Sequence, residues 1–174
     1  AATASRPSSI KYIGAWDAVD IRLTDGRVVS VADPVGRAMI DEAYRAFVDA
    51  VIGAGAMGSG IGQVAAMVGH EVILFDAFPN AVNKARDAIL LSLNKLAEKG
   101  KITDQEAKAV FGRMYFVDQL QSIEGSDLVI EAIVEIEEEK KKLFALIEPL
   151  LSETAVLASN TSSLSITGLA NGLK

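Results

Sequence analysis

The 174-residue chain contains no cysteine. That excludes disulfides, thiolate nucleophiles and any cysteine-based metal site, and is compatible with a reducing compartment. It has a single histidine, His70, so metal chemistry has little to stand on. Basic residues are in the minority, 17 Lys and Arg against 23 Asp and Glu, for a net charge of -6 and a pI near 4.8. Without a basic surface for phosphate backbones, nucleic acid is not an expected partner. No stretch reaches the roughly eighteen apolar residues that a membrane span requires, because Gln63, His70 and Glu71 interrupt the best candidate, and the N-terminus has no apolar signal core. These absences point to a cytoplasmic protein with no membrane contact. What is present is apolar residue: 50% of the chain, enough for a sizeable core in one ordinary domain with an appendage.

Residues 1–9 are small, polar and proline-containing, the composition of a frayed tail. Two alternating runs, 17–23 and 27–31, then flank Thr24-Asp25-Gly26, a strong hairpin signal. Pro34 opens a helical pattern with Val35, Met39, Ala43, Ala46 and Phe47 near one face. Residues 1–49 therefore read as a hairpin-plus-helix segment of unknown role, and residues 50–174 as the main domain.

In that domain apolar strand runs at 51–52, 72–76, 114–117, 128–131 and 155–158 alternate with helical stretches. This order predicts an α/β fold, a parallel sheet covered by helices. The long excursion 80–112 divides into two helices at Gly100, with a capping box at Thr103-Asp104-Gln105-Glu106 opening the second. A further helix is predicted over 137–150, with Leu143, Phe144, Ile147 and Leu150 inward, Glu137/Lys141 and Glu138/Lys142 paired outside, and the charge run 137–142 as a solvated face. Asp49 stands where the first strand should be apolar. A charge there is costly unless the strand starts at Ala50 or Asp49 finds a partner.

The first strand runs into Val51-Ile52-Gly53-Ala54-Gly55-Ala56-Met57-Gly58, which fits G-x-G-x-x-G. In this spacing the first glycine allows the strand-to-helix turn, the second lets backbone approach a pyrophosphate, and the third lets helix pack on strand. The pyrophosphate would rest on the free amides and positive dipole end of the new helix. A lone glycine pattern often marks only a turn, but here it is followed by a helix, a second strand and a terminal acid, Asp76. An acid at that point can accept hydrogen bonds from the adenosine ribose and would repel a 2′-phosphate. The expected cofactor is NAD rather than NADP.

Two downstream blocks, Asp127-Leu128-Val129-Ile130-Glu131-Ala132-Ile133-Val134-Glu135 and Ala158-Ser159-Asn160-Thr161-Ser162-Ser163-Leu164, resemble the NAD-binding, Rossmann-like domain of the L-3-hydroxyacyl-CoA dehydrogenases. The resemblance covers about 51–174. It implies a helical hairpin after Asp76 that leans over the substrate. It also implies Gly53, Gly55, Met57 and Gly58 at the pyrophosphate, and Asp76 at the ribose. Ala132, Ile133, Glu135, Lys140 and Asn160 would line the nicotinamide half. Ser162 matches the active-site serine that contacts the substrate's 3-oxygen and helps position the catalytic imidazole, while Ser92 and Lys99 match residues that touch CoA. From the residues alone, Lys99 reads as a solvated end-of-helix lysine, Ser92 as a helix-surface residue, and Asn160 and Ser162 as a turn at the edge where parallel sheets bind ligands.

The implied reaction is reversible NAD-dependent oxidation of an L-3-hydroxyacyl-CoA, in fatty-acid or related metabolism. Its base in the family is a histidine held by a glutamate, some twenty residues beyond the second block, and the chain stops at Lys174. His70 precedes the second strand, on the wrong edge of the sheet for the nicotinamide. The chain thus reads as a cofactor-binding fragment, inactive or weakly active alone, that awaits a C-terminal helical domain or a homo-oligomeric contact. The alternatives are a non-catalytic nucleotide-binding or assembly module, and another dehydrogenase of the same superfamily.

Overall fold

The computed structural model describes residues 48–173 and the strands 7–10, 20–23 and 28–30. The chain divides into two compact units, Ala1–Ala46 and Phe47–Lys174.

The first unit holds a three-stranded antiparallel sheet in the order β1 (Pro7–Ile10), β2 (Asp20–Leu23), β3 (Val28–Ser30). β2 and β3 pair Ile21 with Val29 across the anticipated hairpin. Residues 7–9 are not part of a tail: they belong to β1, which pairs Ile10 with Ile21 and Ser9 with Arg22. The physical reason is that a lone two-stranded hairpin is marginal, and a third strand satisfies the open edge of β2. The predicted helix from Pro34 to Phe47, the turn 24–27 and residues 1–6 lie outside the described residues.

The second unit is a five-stranded parallel sheet. Its strands are β4 (Val48–Ile52), β5 (Glu71–Phe75), β6 (Met114–Val117), β7 (Leu128–Glu131) and β8 (Val156–Ser159), in the order β6-β5-β4-β7-β8. Helix α1 (Ala56–Met67) crosses from β4 to β5. The pair α2 (Pro79–Glu98) and α3 (Asp104–Gly112) crosses from β5 to β6, and α4 (Glu137–Ile147) from β7 to β8; a short α5 (Ile166–Ala170) follows. Side chains alternate along β4, so Val51 enters a core with α1, α2 and α3 residues such as Ala66, Ile89 and Val110, while Ala50 and Ile52 enter a second with Phe144, Ile147 and Leu169. Burial on both faces explains why these strands read as apolar runs.

β4 is longer than the predicted 51–52. Asp49 lies within it, 2% exposed, because its Oδ2 meets His70 Nδ1 at 2.5 Å. The capping box is present: Glu106 N donates to Thr103 Oγ1 at 3.1 Å and Thr103 N to Glu106 Oε2 at 2.7 Å. Two details of 137–150 differ from expectation. The α-helix stops at Ile147 and tightens into a 3-10 turn, Glu148–Leu150, since Pro149 has no amide to continue the ladder. Lys142 pairs with Glu139 at 2.7 Å rather than with Glu138, while Lys141 pairs with Glu137 at 2.6 Å as expected. The run is also not wholly solvated, because Lys140 is completely buried.

Candidate functional site

Strand order reverses at the centre of the sheet: β5 and β6 lie to one side of β4, β7 and β8 to the other. Connections therefore leave β4 and β7 in opposite directions, opening a crevice beyond their carboxyl ends where such sheets take ligands. Ala132 N donates to Ile52 O and Gly53 N to Phe75 O, each at 2.8 Å, so the crevice floor is backbone from three strands. Gly53 has φ +108°, and a Cβ there would lie 2.5 Å from the Ala132 carbonyl oxygen. A Cβ on Gly58 would lie 1.8 Å from the Gly53 carbonyl oxygen. Both must be glycine for the turn to close. Gly55 differs: a Cβ there would meet no protein atom within 4 Å. Gly55 is the N-cap of α1, no side chain caps the helix, and its first turn holds no acid. The space in front of Gly55 is open and the helix brings no acid of its own to its first turn, which fits a pyrophosphate.

Asp76 follows β5 directly and is tied to the same turn. Its Oδ2 accepts from Ala54 N at 2.8 Å and its Oδ1 from Phe78 N at 2.9 Å. Two backbone amides thus fix the carboxylate beside the glycine loop, with lone pairs left for hydroxyl donors. Met57, on the first turn of α1, is 59% exposed.

Past β7 a polar cluster has formed around two carboxylates. Glu131 and Lys140 are both fully buried, with Lys140 Nζ 2.6 Å from Glu131 Oε1 and 3.2 Å from Glu135 Oε2. Glu131 Oε1 also accepts from Ile133 N, and its Oε2 from Ser159 Oγ, both at 2.6 Å. Glu135 gathers the loop after β8: Thr161 Oγ1 donates to Oε1, as do Ser162 N at 3.2 Å and Ser163 Oγ at 3.0 Å. The Thr161 hydroxyl, helped by Lys140, Ser163 and Ser162, holds the Glu135 carboxyl well below its ordinary 4.5, at about 2. Asn160 is exposed, with its amide donating to the Glu131 carbonyl at 2.7 Å. Of the predicted residues, Glu135, Lys140 and Ser162 converge in this cluster, and Ala132 and Ile133 join it to Gly53. Glu131, Ser159 and Thr161 were not singled out from sequence. A charge ending an otherwise apolar strand, with a lysine nine residues on, was the available signal.

Ser92 and Lys99 lie apart from that cluster but share a groove of about 360 Å³ with Leu91, Lys95 and Leu96. Ala88 also borders a second groove of about 380 Å³ between α1 and α2 that reaches Gly55 and Ala56. Ala88 is thus common to the groove at the glycine turn and the groove at Lys99. His70 sits at the amino ends of the strands, since the adjacent Glu71 pairs with Val48, the first residue of β4. Among the described residues no group of acidic or histidine side chains could hold a metal ion, and no helix is long and apolar enough to cross a membrane.

A family model described as "3-hydroxyacyl-CoA dehydrogenase, NAD binding domain" matches residues 49–174. A Deinococcus radiodurans protein named as a probable 3-hydroxybutyryl-CoA dehydrogenase is 46% identical over 120 residues, which are 69% of this chain and 43% of that protein. The mitochondrial hydroxyacyl-coenzyme A dehydrogenase of Sus scrofa is 40% identical over 127 residues, 70% of this chain and 40% of its own length. The crystal structure of the Escherichia coli K12 3-hydroxybutyryl-CoA dehydrogenase superposes with a TM-score of 0.72 at 40% identity, covering 74% of this chain and 27% of that one. The chain spans less than half the length of each of these relatives.

Proposed function

The chain belongs to the 3-hydroxyacyl-CoA dehydrogenase family through its NAD-binding domain, and from that membership we propose that it is the cofactor-holding part of an enzyme that oxidises an L-3-hydroxyacyl-CoA to the 3-ketoacyl-CoA. The observation that carries this reading is the glycine turn at the strand-order reversal, open at Gly55 and tied to Asp76. In this reading Gly53, Gly55, Met57 and Gly58 hold the pyrophosphate and Asp76 the adenosine ribose. Ala132, Ile133, Glu135, Lys140 and Asn160 face the nicotinamide half. Ser162, tethered through its amide to Glu135, directs its hydroxyl to the substrate's 3-oxygen. Ser92 and Lys99 hold the CoA portion, supported by their shared groove.

Bound NAD supplies the hydride acceptor. The side chains do the rest, placing the substrate carbon and stabilising charge on its oxygen. A proton acceptor that titrates near neutrality suits the hydroxyl, and the imidazole within these 174 residues, His70, is at the opposite edge of the sheet. In this reading the base, and much of the acyl pocket, come from a partner domain. A cytoplasmic location goes with this reading, and fractionation of source cells would check it. The direct test is calorimetry of NAD and NADP on the purified chain. NAD should bind more tightly and Asp76→Ala should narrow the gap, whereas equal or tighter NADP binding would overturn the assignment.

A further inference from the structure

Glu131 is the point at which the sheet, the β7–α4 connection and the loop after β8 are joined. In register it stands beside Ile52 on one side and Ser159 on the other. Its backbone carbonyl receives the Asn160 amide, and its carboxylate receives Lys140 Nζ, the Ile133 amide and the Ser159 hydroxyl. Three groups thus converge on one side chain with no exposed surface, and a fourth, the Asn160 amide, on its backbone carbonyl. Burying an ion pair does little for stability compared with apolar residues of the same volume, because desolvation offsets the attraction. Positioning at the mouth of the ligand crevice, rather than stability, is then the role to test for this buried pair.

We propose that Glu131 is the positioning residue of the nicotinamide half of the site. It sets where the Lys140 ammonium points, holds the Ala132–Ile133 backbone against Gly53, and fixes the distance from that backbone to Asn160. Glu135 cannot do this alone, since it is partly exposed and its Oε1 is committed to the loop of residues 161–163. With Glu131 in place the ammonium lies between two carboxylates in one orientation. Without it, Lys140 is free to follow Glu135 outward. The proposal rests on the reading that Lys140 and its neighbours face the nicotinamide.

The test compares NADH with ADP-ribose, which carries the adenosine, pyrophosphate and second ribose but no nicotinamide, on the whole chain. Wild type should prefer NADH. In Glu131→Gln the NADH affinity should fall about tenfold or more, the scale of a lost charge-assisted hydrogen bond, while ADP-ribose affinity stays within about twofold and the fluorescence change of bound NADH diminishes. Glu131→Gln leaves a buried ammonium less compensated, so Glu131→Asp is the second variant. It keeps the charge and the fold, checked by cooperative melting, but draws the carboxylate back from its partners, and should also lose preference for NADH. Full NADH preference in a folded variant overturns the proposal. So does parallel loss of both ligands, or failure of both variants to melt cooperatively, either of which makes Glu131 a folding residue only. A wild-type chain with no preference for NADH would instead sink the underlying nicotinamide reading, a result visible before any variant is made.

Discussion

Gly53, Gly55 and Gly58 share one motif but differ in what a side chain would cost. At Gly58 an added methyl would overlap the Gly53 carbonyl, so Gly58→Ala should destabilise the chain by about 1–3 kcal/mol or more, as overpacking does where backbone has to move. At Gly55 the added atoms meet no protein. Gly55→Val should therefore leave the melting temperature within a few degrees of wild type while reducing NAD affinity by at least about tenfold, because the branched side chain fills the space in front of the α1 amides. Thermal melts and calorimetry of the two variants check both statements, and a Gly55→Val chain that binds NAD normally would move the phosphate site elsewhere.

Elements whose signals are local in sequence were legible from it: the strand runs, the glycine turn and the Thr103 capping box. Thr103→Ala should cost α3 about 0.5–2 kcal/mol, measured by chemical denaturation. What escaped were partners separated in sequence. Periodicity put Lys140 in a charged face, yet the neighbouring turn of α4 buries Phe144 and Ile147, and Lys140 could turn inward because Glu131 was waiting at the end of β7. Asp49 was unexplained until His70, across the sheet edge, supplied its partner. Glu135 was legible only through family resemblance, and its tie to Thr161 is a feature of the fold. Because that tie lowers the folded carboxyl from an ordinary 4.5 to about 2, its contribution to stability is complete above the ordinary value and is lost as pH falls from there through 2. The melting difference between wild type and Glu135→Gln should accordingly be constant from neutrality down to about pH 5 and shrink below it. A difference that grew on acidification would contradict the sign.

Across the second unit as a whole, the two ends of the sheet divide the labour. The carboxyl end carries the glycine turn and the carboxylate cluster; the amino end carries the buried Asp49–His70 contact. His70→Ala should cost about 1–3 kcal/mol, the penalty for a buried acceptor that loses a partner, and leave NAD affinity unchanged. With acetoacetyl-CoA and NADH the chain alone should turn over at least about a thousandfold more slowly than its full-length relatives, since general-base catalysis by itself contributes roughly 10² to 10⁴; family-like rates abolished by His70→Ala would reverse our placement of that residue. The sheet order also governs how the chain can be made. β4 is the first strand of its unit to leave the ribosome yet lies in the middle, and its second neighbour arrives late: Val48 N finds Asp127 Oδ2 only 79 residues further on. At a synthesis rate of about 5–20 residues per second, one flank of β4 stays unpaired for several seconds after the strand emerges. During that interval the β4-β5-β6 half, with α1 to α3, is the part that can form, and it leaves an apolar strand edge open until β7 closes it.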